Sequence, residues 1–194
     1  MNGSTLMNGP TFWIVARSTG LVAYGLMTVT MLAGLLLAGR ARPSWTKPAD
    51  VMALHRTLSL SALFLMGLHG VALALDHTVH LTVKQLLIPG LVAYRPVWVA
   101  LGVTAAWVAV AMHSSFRLRK VIGPKVWRKL HFATYAAFVL ATAHGLGAGT
   151  DSGRRGVFAV YAVSIALVAG ATAWRAGVER KARRQAATPL RAAA

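Results

Sequence analysis

Four histidines lie within long apolar segments of the sequence, at spacings that sort them into two pairs. His55 and His69 share one segment with a spacing of 14, and His131 and His144 share another with a spacing of 13. At 1.5 Å per residue along a helix, these spacings correspond to about 21 and 20 Å. An unpartnered polar group in hydrocarbon costs several kcal/mol, so each imidazole needs a partner.

Axial ligation of a flat macrocycle would satisfy such pairs. Zinc prefers four tetrahedral ligands, and no acidic residue lies at either depth. The absence of cysteine excludes thiolate metal sites, iron–sulfur clusters and covalent haem attachment. We therefore predict two non-covalent b haems, the iron of one bound by His55 and His131 and that of the other by His69 and His144. The alternative is that the four histidines only hydrogen-bond to helix carbonyls.

The elements that must position these histidines are transmembrane helices. The chain of 194 residues is 56% apolar and only 13% charged, which indicates a membrane protein. A hydrocarbon core about 30 Å thick needs roughly 20 apolar residues per helix. Five segments qualify, namely residues 12–38, 51–75, 96–114, 129–147 and 157–174.

We therefore expect an all-α integral membrane protein. Residues 1–176 would form a five-helix transmembrane bundle with the two haems stacked between helices 2 and 4. Residues 177–194 would form a basic, partly disordered cytoplasmic tail. The first apolar segment lacks a positive region before it and a small-residue cleavage site after it, so we expect a retained helix rather than a signal peptide.

The distribution of basic residues predicts the orientation. The formal net charge is +17, and all but five of the 21 lysines and arginines fall at one side of the predicted bundle. This positive-inside pattern places the N-terminus outside and the C-terminus in the cytoplasm, in a cell membrane that is most simply bacterial. The tail could bind nucleic acid instead, but topology and lipid head groups explain its charge; we expect no nucleic-acid partner.

The spacing of 13 on the predicted fourth helix poses a geometric problem. At about 100° per residue, 14 steps return to within about 40° of the starting face, whereas 13 steps miss it by about 140°. This helix must present His131 and His144 from different flanks, or it must be tilted or distorted.

Arginines inside or next to the apolar segments are candidate partners for haem propionates. Arg17 lies in the first helix, about a turn and a half from the outer end, and we expect it to bind the outer haem, the alternative being snorkelling to the head groups. Arg56, Arg128 and Lys129 could meet the inner propionates, although the topology signal also explains them.

Four further polar residues also carry predictions. His77 and His80, beyond the outer haem, could line an acceptor site but are better explained as ordinary loop histidines. His113 is expected at a helix interface, and Asp151 is expected to cap or stabilise a turn.

The pattern H-x13-H on one helix and H-x12-H two helices later resembles the ferric reductase-like transmembrane domain. That superfamily includes NADPH oxidases, yeast-type ferric reductases and the haem subunit of the bacterial periplasmic methionine sulfoxide reductase system. Three segments are also similar to bacterial members: RSTGLVAYGL (17–26), LLIPGLVAYRPVWVALG (86–102) and WRKLHFATYAAFVLATAHGLGAGTD (127–151). The resemblance covers residues 12–175.

The resemblance implies two stacked b haems and electron flow from the cytoplasm outwards. His55 and His131 would hold the inner haem, and His69 and His144 the outer one. The chain would be an oxidoreductase or the electron-transfer haem subunit of one. Its donor would be a cytoplasmic flavin, flavoprotein or quinol, and its acceptor ferric iron, oxygen or a partner reductase. Only about 20 residues follow the last predicted helix, so we expect a separate donor.

Two other classes compete with this interpretation. A haem-free small transporter or assembly protein would be colourless, and its histidines would be replaceable. A quinol-linked cytochrome of the b561 type would be distinguished by reduction of its haem with quinol.

Overall fold

The computed structural model describes residues 11–38, 46–76 and 81–192, with side chains as far as residue 185. Within these ranges the ordered elements are helices. They are α1 (Thr11–Ala38), α2 (Pro48–Leu75), α3 (Val83–Leu87), α4 (Pro96–Ser115), a 3₁₀ turn (Phe116–Leu118), α5 (Arg119–Ile122), α6 (Pro124–His131), α7 (Ala133–Ala148) and α8 (Arg155–Ala192).

Proline marks the start of three of these helices. Pro48, Pro96 and Pro124 each occupy the first helical position, where the missing amide hydrogen costs nothing and the fixed φ suits the helix. Gly123 separates α5 from α6 with a φ of 80°, a conformation that favours glycine. The chain therefore reverses between α4 and α7 through short helices rather than a long loop.

Four stretches of helix are long and apolar enough to cross a membrane: Thr11–Ala38, Pro48–Leu75, Pro96–Ile122 and Arg155–Gln185. Many apolar side chains face outwards from them, including Phe64 on α2, which is 71% exposed. Such a surface suits lipid rather than water. The chain is therefore a multi-pass membrane protein built as a helical bundle.

The predicted fourth span, residues 129–147, is divided between two helices. The eight residues of α6 end at His131, and the 16 residues of α7 begin at Ala133. With a rise of 1.5 Å per residue, α7 alone is about 24 Å long, shorter than a usual span. The count of five transmembrane helices stays a prediction, as does the orientation of the bundle.

Two helix pairs form the body of the bundle. α1 packs along α2, α4 packs along α7, and α8 contacts both α1 and α7. A buried cluster joins α1, α7 and α8, and its members are Tyr24, Met31, Phe138, Tyr161 and Val168. A large cavity remains between the helices that carry the histidines.

The segment between α2 and α4 covers one side of the bundle. α3 begins at a capping box, in which Thr82 and Gln85 satisfy each other's backbone amides. The indole nitrogen of Trp107, near the middle of α4, donates to the carbonyl of Leu87 at 2.8 Å. The described part of this segment therefore lies against α4.

The last helix continues well past the predicted fifth span. α8 extends to Ala192 and so includes most of the residues assigned to the tail. The division of the chain at residues 176 and 177 stays a prediction.

Candidate functional site: two histidine pairs

The structure brings the four histidines together in the predicted combinations. The rings of His55 and His131, here called the first pair, have centroids 6.3 Å apart and an interplanar angle of 62°. The rings of His69 and His144, the second pair, are also 6.3 Å apart, at an angle of 81°. α2 therefore contributes one ring to each pair, and the α6–α7 segment contributes the other.

The separation within each pair is compatible with a metal ion held between the two rings. Two opposed imidazole nitrogens at about 2.0–2.1 Å from a metal, the usual zinc–histidine length, would place the ring centroids about 6.3–6.5 Å apart. Two histidines that merely stacked on each other would lie closer, and unrelated ones would lie at unequal distances. Both pairs have the same separation although their interplanar angles differ.

Hydrogen bonds fix which ring nitrogen is available in three of the histidines. Nδ1 of His55 lies 2.9 Å from the carbonyl oxygen of Thr30, and Nδ1 of His69 lies 2.6 Å from that of Ala16. Nδ1 of His144 lies 2.9 Å from the carbonyl oxygen of Trp98. Because a carbonyl only accepts, each Nδ1 carries the proton and each Nε2 keeps its lone pair.

These bonds bear on the alternative that the histidines bind helix carbonyls and nothing else. Carbonyl bonding does occur, but it uses only one nitrogen of each ring. A ligating histidine ordinarily donates its other N–H in this way, which orients the ring and raises its basicity. The observed bonds therefore leave Nε2 of each of the three rings available to a metal.

His131 is held differently. Its Nδ1 is buried and has no hydrogen-bond partner within the described part of the chain. Its ring stacks on Trp127, with centroids 4.8 Å apart and an angle of 23°. The indole nitrogen of Trp127 donates to Ser115 Oγ at 3.1 Å. Trp127, which was not among the residues predicted for the site, thus supports the ring of His131.

A break in the helix accommodates the spacing between His131 and His144. The amides of Phe132 and Tyr135 bond three residues back, to Lys129 and Phe132. The hydroxyl of Thr134 donates to the carbonyl of His131 at 2.8 Å. α6 therefore ends at its histidine and α7 starts afresh, so the angular mismatch of a continuous helix does not apply. Of the alternatives left open by the sequence, distortion is the one observed.

All four histidines line one cavity of about 2420 Å³. Ordinary small-molecule pockets have volumes of about 300–1,000 Å³, so this space exceeds what one small ligand needs. No group of three or more His, Cys, Asp or Glu side chains that could hold an ion occurs among the described residues. Two pairs of imidazoles in a large apolar space fit two flat macrocycles that each need two axial nitrogens.

Glycines lie against three of the rings. A Cβ added to Gly20 would come within 3.0 Å of His69, and one added to Gly34 within 3.2 Å of His55. A Cβ on Gly102 would overlap the ring of His144. These glycines were not among the residues predicted for the site, although Gly20 and Gly34 have the same spacing of 14 as the histidines on α2.

Arg17 and Asp151 lie at the end of the cavity that holds the second pair. Both line the cavity, and their side chains form an ion pair with each other. Arg154 also contacts Asp151, at 3.3 Å. Asp151 therefore connects α1 to the turn after α7, in keeping with its expected structural role. The predicted contact of Arg17 with a propionate stays a prediction.

Basic side chains surround the cavity near the first pair. Arg56 and Arg128 line it, whereas Lys129 is absent from its described lining. Arg119, also in the lining, lies over the ring of Trp127 at 5.5 Å. This end of the cavity is suited to anionic groups.

The remaining histidines lie apart from the two pairs. Nδ1 of His113 lies 3.1 Å from Ser59 Oγ, so His113 joins α4 to α2 as an interface residue. His77 and His80 lie outside the described residues.

The chain was compared with known proteins in three ways. No curated protein and no solved structure matches it. The family model described as the ferric reductase like transmembrane component matches residues 19–142. The match spans well over half of the chain and includes three of the four paired histidines, ending just before His144. The chain therefore belongs to the ferric reductase-like transmembrane component family.

Proposed function

We propose that the protein carries electrons across the membrane through two b haems, each held by one histidine pair. The single observation that carries the proposal is the equal separation of 6.3 Å in both pairs. Family membership supports transmembrane electron transfer in general terms. His55 and His69 have a spacing of 14 along α2, which separates the pairs by about 21 Å, or most of the thickness of a hydrocarbon core.

The side chains of this protein would contribute position and environment. Nε2 of His55 and Nε2 of His69 are left free by the carbonyl bonds of Nδ1, and so is Nε2 of His144. A b haem held by two imidazoles supplies a one-electron couple with no open position for a substrate. In a membrane, the apolar helices around the cavity would shield both pairs from water.

We further propose the direction and the partners. By the positive-inside rule, the first pair faces the cytoplasm and the second pair faces outwards. The donor would be a separate flavoprotein, a flavin or a quinol, which would meet the basic residues near the first pair. The acceptor, near the second pair, would be ferric iron, oxygen or a partner reductase. Arg17 would face a propionate of the outer haem from its position in the cavity lining.

The test is an optical spectrum of the purified protein with a haem-to-protein ratio. We expect a reducible low-spin b-type spectrum and two haems per chain. His69→Ala and His144→Ala should each remove one haem and spare the other, as should His55→Ala and His131→Ala. His113→Ala is the matched control, since His113 bonds to Ser59 and belongs to neither pair; it should retain both haems.

Two results would overturn the proposal. A wild-type protein that is colourless and binds no added haem would favour the alternative of a haem-free small transporter or assembly protein. Loss of haem from His113→Ala equal to that from His69→Ala would contradict the assignment of ligands.

A further inference from the structure

Three of the four paired histidines are held by the same local arrangement. Each Nδ1 bonds to the carbonyl of one residue on a neighbouring helix, and each ring lies against a glycine four residues further along that helix. We call this arrangement a glycine seat. The seats are Ala16 and Gly20 for His69, Thr30 and Gly34 for His55, and Trp98 and Gly102 for His144.

Helix geometry explains why the glycine stands at that offset. The carbonyl of residue n accepts the amide hydrogen of residue n+4. Each Cα–Cβ bond tilts towards the helix N-terminus, so a side chain at n+4 covers the turn that contains residue n. Without a Cβ at n+4, the carbonyl stays open to a second donor, here an imidazole N–H. A glycine seat therefore consists of a carbonyl oxygen that accepts two hydrogen bonds, one from the helix amide and one from the imidazole, and of a glycine that leaves the space beside that oxygen free.

The spacing along α1 supports this interpretation. Gly20 and Gly34 have a spacing of 14, as do His55 and His69 on the antiparallel α2. Because a spacing of 14 is close to four turns, both glycines lie on the face of α1 that packs against α2. Glycines elsewhere in the same helices lack this contact: Gly25 on α1 and Gly67 on α2 have open space where a Cβ would stand.

We propose that Gly20, Gly34 and Gly102 are positioning residues that hold Nδ1 of the histidines against backbone carbonyls and thereby set the electron donation of Nε2 to the haem iron. The inference rests on the proposed function. An imidazole that donates through Nδ1 is a more basic ligand, and a more basic ligand stabilises ferric iron and lowers the reduction potential. The second pair has two seats and the first pair has one, since His131 lacks a hydrogen-bond partner within the described residues.

The three glycines should respond to alanine in a graded way. A Cβ at Gly34 or Gly20 would stand 3.2 or 3.0 Å from the nearest ring atom, so the ring can yield by a few tenths of an ångström and stretch its bond to the carbonyl. A Cβ at Gly102 would overlap the ring of His144 and force it out of place. Gly20→Ala and Gly34→Ala should therefore alter the reduction potential of a bound haem. Gly102→Ala should prevent one haem from binding.

The experiment compares Gly20→Ala, Gly34→Ala and Gly102→Ala with Gly25→Ala in the purified full-length protein. The readouts are haem content, an optical redox titration and the low-spin EPR signals. Gly20→Ala should keep both haems and raise the potential of one. Gly34→Ala should raise that of the other, and Gly102→Ala should lose up to half of the haem. Gly25→Ala should match the wild type, because alanine favours a helix over glycine and meets nothing there.

The outcomes separate this inference from the proposed function. Wild-type protein with two low-spin haems, together with Gly20→Ala and Gly34→Ala variants whose potentials and EPR signals equal those of Gly25→Ala, would overturn the seats and leave the function standing. Wild-type protein without haem would overturn the proposed function first. If Gly20→Ala does not fold, Gly34→Ala still tests the inference, because its added Cβ would lie slightly farther from the ring. Size-exclusion profiles check the fold of every variant.

Discussion

Removing the indole beneath His131 should open the first pair and leave the second pair intact. Within the described chain, the ring of His131 is supported by its stack on Trp127, with centroids 4.8 Å apart. Nδ1 of His131 has no hydrogen bond there to compensate. In Trp127→Ala, we therefore expect His131 to swing away, part of the time, from the place where it would hold the proposed haem.

The size of the effect follows from the stack. An aromatic pair of this kind contributes about 0.5–1.5 kcal/mol beyond its area burial. Since about 1.4 kcal/mol corresponds to a tenfold change in an equilibrium constant, the fraction of open sites should rise roughly 2- to 12-fold. Trp127→Phe keeps a ring in place and loses only the bond to Ser115, so its increase should be smaller.

Carbon monoxide added to the reduced protein measures this fraction, because it binds ferrous haem only where an axial ligand has left. Wild-type protein should bind little carbon monoxide, and Trp127→Ala should bind it at up to half of its haem. The amount bound by Trp127→Phe should lie between these two. Trp174→Ala is the matched control, as this tryptophan on α8 is 50% exposed. If Trp127→Ala binds no more carbon monoxide than Trp174→Ala, the role assigned to the stack is wrong.

Two stability predictions follow from polar contacts inside the bundle. Asp151→Asn should lower the midpoint of thermal unfolding in detergent by only a few degrees, because its partner Arg17 is 35% exposed and such pairs contribute about 0–1 kcal/mol; a larger fall without loss of haem would contradict this. Tyr24→Phe should cost about 1 kcal/mol, or roughly 2–4 °C in a chain of this size, since it removes the buried bond of 3.0 Å to Thr142. Tyr135→Phe, whose hydroxyl bond is only part-buried, should cost less, and an equal or greater loss would refute the ranking.

The pairing of the histidines could be predicted because it depends on spacing alone. Any helix places residues 14 apart about four turns away on nearly the same face, so His55 and His69 had to lie at two depths on one side of α2. A polar ring in an apolar helix requires a partner, and matching depths on another helix identified it. In the structure each of these rings lies beside a histidine of the α6–α7 segment, with centroids 6.3 Å apart in both pairs.

The sequence left a distortion of this helix open as an alternative, but the position of the break after His131 could not be predicted. Neither glycine nor proline stands at residues 132 or 133 to mark it, and the break depends on the hydroxyl of Thr134 capturing the carbonyl of His131. Threonine side chains make such bonds in continuous helices as well, so their presence is not diagnostic. The ion pair of Arg17 with Asp151 could not be predicted either, because it joins α1 to a turn that is distant in the sequence.

The seats on α1 bear on how the protein matures. One imidazole of each pair can be oriented by backbone carbonyls as soon as α1 and α2 have paired, because its hydrogen bond requires nothing from the later helices. During synthesis, a chain that has grown only as far as Leu75, the end of α2, would thus already contain one oriented histidine of each pair. The opposing halves arrive with α6 and α7, and His131 arrives with the least guidance from its own surroundings. Binding of the proposed haem at the first pair is therefore the step most exposed to failure when cofactor is scarce.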